Sequence, residues 1–252
     1  MLWYKAWLET RWRFAIGLGL LMVSASAIVL GYPEALKAIS GLPQADGELG
    51  RRISESAAVV RDYRSYVWTQ WFRQSMRQLW ALFAVVLGTG GLLAQASRGG
   101  ALFTLSLPVS RGRLLSVRAA TALAELLILA LVPSLMIPLL SPAVGQIYSF
   151  ADAIVYGTCL FIAGSVLFSF AFLLSTVFSD VWRPPLIALC IVVGIRLLEQ
   201  AIGLGNVSLL AFMTAESYFR GDGLPWIGLL ASAAVSAVML YGATLNIARQ
   251  DF

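Results

Sequence analysis

Residues 98–118 read Arg98-Gly-Gly-Ala-Leu-Phe-Thr-Leu-Ser-Leu-Pro-Val-Ser-Arg-Gly-Arg-Leu-Leu-Ser-Val-Arg118, with four arginines and no acidic residue. Pro108 ends one short element and Ser110 can cap the next, so Arg111, Arg113 and Leu114 are expected on a compact helix. A rigid basic projection of this kind suits docking to another protein. Its arginines would also bind anionic lipid head groups.

Other chemistry is scarce. There is no G-x-x-x-x-G-K-[ST] loop to cradle phosphates, and the only lysines are Lys5 and Lys37. The chain is therefore not expected to hydrolyse ATP by itself. Histidine is absent, and Cys159 and Cys190 both lie inside apolar runs, which removes most metal and disulfide chemistry. Ser165, in Ala163-Gly-Ser-Val166, has no histidine or nearby lysine to act as its base. A charge at the bilayer centre costs several kcal/mol unless it is paired or hydrated, so Glu125, Arg196 and Glu199 stand out. Arg196 and Glu199 are spaced to pair on one helix face. Glu125 either reaches a basic residue at the membrane surface or lines a route.

The elements that position these residues follow from composition. Of 252 residues 59% are hydrophobic and 12% charged, far below the roughly 25% charged of soluble domains. An integral membrane protein is expected. The net charge of +5 then reports loop bias and anionic lipid, with no nucleic-acid partner expected. Residues 1–13 predict an amphipathic interfacial helix carrying Trp3, Trp7 and Arg11; the alternative is an ordinary aromatic flank of the first span. No removable signal peptide is expected, because charged residues precede a long apolar run.

Spans are expected at 14–32, 79–95, 119–140, 152–178, 186–202 and 226–247, each near the roughly 20 residues that a helical crossing needs. Residues 33–78 form a polar insert that continues from Arg51 to Arg77 as a helical pattern, in which Val60, Tyr63, Val67, Trp71 and Phe72 recur at helical spacing, so at least one amphipathic helix is expected to lie on, or lead down into, the membrane. Pro133 and Pro138 predict a kink that faces protein. The reading is an all-α membrane protein with six transmembrane helices, treated as one domain over 1–252. The shorter basic loops place both termini and 98–118 on the cytoplasmic side, with the 33–78 insert outside.

The run Gly99 to Arg111, followed by Arg113-Leu-Leu and Arg118, resembles the first cytoplasmic loop of ABC-2 type permeases, the membrane subunits of bacterial ABC exporters. The layout resembles them over nearly the whole chain: interfacial helix, six spans, outer segment after the first, polar break before the sixth. The resemblance implies a coupling helix between spans 2 and 3, formed or flanked by Leu107, Pro108, Val109, Ser110, Arg111, Arg113 and Leu114. It further implies a second permease copy and a separate ABC ATPase subunit, which would hold ATP and Mg; no cofactor is expected in this chain. The location implied is the bacterial or archaeal cytoplasmic (inner) membrane. Two other readings stand beside it: a membrane anchor or assembly protein that docks a soluble partner without transporting, and an ion-coupled carrier.

Overall fold

The computed structural model describes residues 2–40, 48–89, 111–178, 183–202 and 208–248. Every regular element among them is helical. Four helices are long and apolar enough to cross a membrane: Leu2–Leu30, Gly112–Val144, Phe150–Val177 and Trp226–Ile247.

The first of these, α1 (Leu2–Leu30), is a single helix. No proline interrupts residues 2–30, so the tryptophan-rich segment and the apolar run that follows share one axis. Gly31 makes the turn and Pro33 sits in the first turn of α2 (Tyr32–Ser40), where its missing N–H costs nothing. α3 (Glu48–Arg61) and α4 (Tyr63–Val67) follow. Asp62 caps α4 by accepting the Ser65 N–H at 3.0 Å.

α4 does not stop at Val67. It runs into a π-helix (Trp68–Met76) and then into α5 (Arg77–Gly88), with right-handed helical dihedrals at each join. The second leg of the fold is thus helical from Tyr63, well before residue 79. Its polar residues lower the hydropathy upstream of Leu79 without breaking the helix.

The third leg is α6 (Arg111–Leu140), continued by a 3₁₀ turn (Ser141–Val144). Pro133 and Pro138 lie inside α6 on its buried side, as helix-interior prolines in a membrane require. α7 (Phe150–Val177) is capped by Ser149, which accepts the Asp152 N–H at 3.3 Å. With 61% of its apolar window buried it is the most enclosed of the four candidate spans, and α5, α6 and the last helix all pack on it. α8 (Arg183–Ile202) opens with Pro184 and Pro185 and is apolar over Arg183–Gly194. Two short helices, α9 (Leu209–Met213) and α10 (Glu216–Arg220), precede α11 (Trp226–Ala248).

Contacts between legs fix their direction and register. α1 runs antiparallel to the second leg: Arg13 reaches the carbonyls of Val86 and Thr89, Gly17 abuts Phe83, and the Tyr66 hydroxyl donates to the Ile28 carbonyl. The Trp80 indole donates to the Leu126 carbonyl at 3.0 Å and fills the space beside Gly164, while Ser134 meets the Met76 sulfur at 3.5 Å. Residues 76–80 are therefore level with the middle of both α6 and α7. α7 and α11 run parallel, joined by Ser169–Ser236 at 2.5 Å, Ser236 to the Ser165 carbonyl at 3.1 Å, and Asn246 to the Thr176 carbonyl at 3.0 Å. Such hydrogen bonds and close glycine contacts hold helices together where lipid tails are as apolar as leucine.

Candidate functional site

The residues singled out by sequence fall mainly at one end of the bundle, where α1 begins, α5 ends and α6 begins. Leu107, Pro108, Val109 and Ser110 lie outside the described residues. Arg111 starts α6, with its side chain also outside them; Arg113 is exposed and Leu114 half-buried. Leu115 is buried in the core, which anchors this first turn to the bundle.

α1 grips both flanks of the stretch between α5 and α6. Arg13 Nη1 donates to the Val86 carbonyl at 3.1 Å and to the Thr89 carbonyl at 2.9 Å. These carbonyls belong to the last turn and the C-cap of α5, where the helix's own N–H groups run out, and a cation there also meets the negative end of the helix dipole. On the other flank, Glu9 Oε2 lies 3.5 Å from Arg118 Nη2. Thr10 Oγ1 donates to Glu125 Oε1 at 2.5 Å. Three residues within little more than one turn of one helix thus hold the exit of the second leg and the entry of the third. None of these pairings is readable from sequence, because the partners lie roughly 70 to 115 residues apart.

The outer side of this segment of α1 is aromatic. Trp3 is 57% exposed and Trp7 45%, beside exposed Tyr4 and Trp12, and the Arg11 guanidinium lies 5.7 Å from the Trp12 ring. Amphipathic rings and arginine together suit the depth of lipid head groups. The inner side is small: Ala6, Thr10 and Gly17 are buried.

Glu125 is 3% exposed and enclosed between α1 and α6, away from any open face. Its Oε2 has no hydrogen-bond partner among the described residues, and Arg118, two turns earlier, pairs with Glu9 instead. Arg196 and Glu199 lie on α8, with their side chains outside the described residues. Ser165 donates to the Ile162 carbonyl at 2.7 Å, an ordinary helix back-bond. Among the described residues no group of three or more His, Cys, Asp or Glu could hold a metal.

A second polar feature escaped the sequence reading. Along the second leg Gln70, Arg73, Gln74 and Gln78 are exposed and Arg77 is half-buried, while Trp68, Trp71, Phe72, Met76 and Trp80 on the opposite side are buried. The register described above sets Arg77 and Gln78 near the middle of α6 and α7, and Arg73 beside Trp68 and Phe219 nearer the end of the bundle. The signal available in sequence was the aromatic spacing from Tyr63 to Trp71, which continues directly into Met76 and Trp80.

The opposite end of the bundle carries a polar aromatic cluster. Arg64 Nε lies 3.1 Å from Asp152 Oδ2, and the Tyr218 hydroxyl donates to Asp152 Oδ1 at 2.9 Å. Trp68 stacks on Phe219 with ring centroids 4.0 Å apart, with Arg73 and Arg64 over the two rings. The Tyr63 hydroxyl meets Ser141 Oγ at 2.8 Å. Burial and the neighbouring Tyr156 and Asp152 push the Tyr148 phenol well above its ordinary value. The Tyr32 phenol is raised by burial and then by Asp62, that of Tyr218 by its bond to Asp152 and then by burial.

Four helices long and apolar enough to cross a bilayer, in a fold that is helical in every regular element among the described residues, mark a protein of the membrane-spanning class. No protein-family model, curated protein or solved structure matches the chain.

Proposed function

We propose that the chain is the permease subunit of an ATP-driven ABC exporter. It crosses the cytoplasmic membrane six times, with both termini inside, and works as a pair with ATP and Mg held on separate ABC ATPase subunits. The four apolar helices supply four crossings; the second leg, Tyr63 to Gly88, and α8 supply the others. The resemblance of residues 99–118 to the first cytoplasmic loop of ABC-2 type permeases carries the reading. The grip of Glu9, Thr10 and Arg13 on both flanks of that stretch supports it. Work delivered at a surface loop moves a bundle only if the loop is mechanically tied to long rigid elements. Here α1 is such an element.

In this mechanism the ATPases close on ATP and displace residues 98–118. Arg118 and the Arg13-bound carbonyls pass the displacement to α1, α5 and α6, which tilt as bodies and alternate the access of a passage between the two copies. The chain's own part is positional: it receives force, transmits it and shapes the passage.

The test uses this chain co-expressed with a candidate ABC ATPase subunit from the same genome. Arg113→Glu is expected to reduce co-purification of the ATPase and to abolish stimulation of ATP hydrolysis. Ile147→Glu, at the opposite end and 94% exposed, is expected to leave both unchanged. Unaltered assembly and stimulation in Arg113→Glu would remove the coupling assignment. Transport driven by an imposed ion gradient without ATP would move the protein to the carrier class.

A further inference from the structure

Gln70, Arg73, Gln74 and Gln78 form one exposed face of the second leg, with Arg77 half-buried beside them. Its Arg77–Gln78 part lies level with Ser134 and Leu126 of α6 and with Gly164 of α7, near the middle of those helices, while Gln70 and Arg73 lie toward the end that carries Trp68 and Phe219. Charged side chains within a membrane are costly against lipid and accordingly face a bundle interior or water. The same stretch is a π-helix of nine residues, a rare form that concentrates at functional positions. From Tyr63 to Gly88 there is no aspartate or glutamate. The face therefore offers cationic and amide donors but no carboxylate.

We infer that this stripe lines an aqueous passage running from the Trp68–Phe219 end toward the middle of the bundle and that the passage takes a substrate with an anionic group. The inference rests on the paired-permease reading for what stands opposite the stripe, namely the same face of a second copy. Arg73 lies over the Trp68 ring at 5.4 Å, which fixes the stem of the guanidinium and leaves its edge for a carboxylate or phosphate. The glutamines at positions 70, 74 and 78 follow the same side of the helix and can replace the water that such a group leaves behind.

Single cysteines at Gln70, Gln74 and Gln78, in full-length Cys159→Ala/Cys190→Ala protein in phosphatidylcholine vesicles, test it with membrane-impermeant thiol reagents of opposite charge. All three are expected to react at least tenfold faster than cysteines at the exposed apolar positions Leu20 and Val238, with the anionic sulfonate reagent favoured. A unit charge at about 6 Å in water alters a rate about threefold, so Arg73→Gln should lower the anionic-to-cationic ratio at Gln74→Cys about tenfold. Arg73→Lys should retain it. Slowing by added phosphatidylglycerol points to a lipid head group, and slowing by inorganic phosphate to a soluble anion; slowing by neither overturns the anion assignment. Rates at Gln74→Cys no higher than at Leu20→Cys overturn the passage itself. Labelling that keeps its charge preference but ignores ATP and the co-purified ATPase removes the exporter reading and leaves the passage standing.

Discussion

Thr10 shows how much one hydroxyl can fix. It supplies the single hydrogen bond found for the Glu125 carboxyl among the described residues, with the second oxygen enclosed and without a partner. Thr10→Val keeps the side-chain shape and removes the donor, leaving a buried carboxyl unsatisfied at a cost of about 1–3 kcal/mol. The expected result is a lower thermal midpoint in detergent, with Thr10→Ser close to the parent protein; equal midpoints for Thr10→Val and the parent would mean that Glu125 finds another partner. Glu125 was visible in the sequence as a charge inside an apolar run. Its partner was not, because hydropathy marks depth along one helix and carries no information about which face of a distant helix will arrive beside it.

At the scale of elements, packing of the second leg on α7 depends on absent side chains. A Cβ on Gly164 would overlap the six-membered ring of Trp80, and one on Gly88 would approach the Phe168 carbonyl oxygen to 2.9 Å. Trp80 is fully buried and its indole N–H is committed to Leu126, so the ring cannot swing away without losing that bond. Gly164→Ala is expected to destabilise by about 1–3 kcal/mol through overpacking, whereas Gly194→Ala, with nothing within 4 Å, should leave the thermal midpoint in place. The helical character of this leg was legible from Tyr63, Val67 and Trp71. Its continuity with the apolar run that follows was not, since Gln70, Arg73, Gln74, Arg77 and Gln78 depress hydropathy over a full two turns. Composition records the polar face and the buried face together, and only the packed structure separates them. By contrast α6, α7 and α11 were plain in the sequence, because each is apolar around most of its circumference.

For the whole molecule, the two ends of the bundle respond differently to solution conditions. The end carrying Tyr32, Tyr148 and Tyr218 holds phenols whose folded-state values are raised. A raised value means the neutral form is favoured on folding. The stabilisation is therefore complete below the unfolded value of about 10 and is lost as pH rises through the folded values. Thermal midpoints in detergent should stay level up to about pH 9 and fall above about pH 10. Tyr148→Phe should lessen the fall without harm at neutral pH, because the Tyr148 hydroxyl makes no hydrogen bond among the described residues; an unchanged alkaline profile would shift the effect to other groups. The polar face of the second leg also bears on how the chain enters the bilayer during synthesis. Each arginine at the centre of a helix opposes insertion by about 2.5–3.5 kcal/mol, so a leg bearing Arg73 and Arg77 partitions poorly when it emerges alone. The aromatic side that would accompany it inward packs on α6 and α7, which are translated later. A chain truncated after residue 110 should accordingly leave the second leg reachable by a glycosylation tag on the wrong side, and extension through Val177 should restore it. Integration of this protein is then a collective event that waits for its fourth leg.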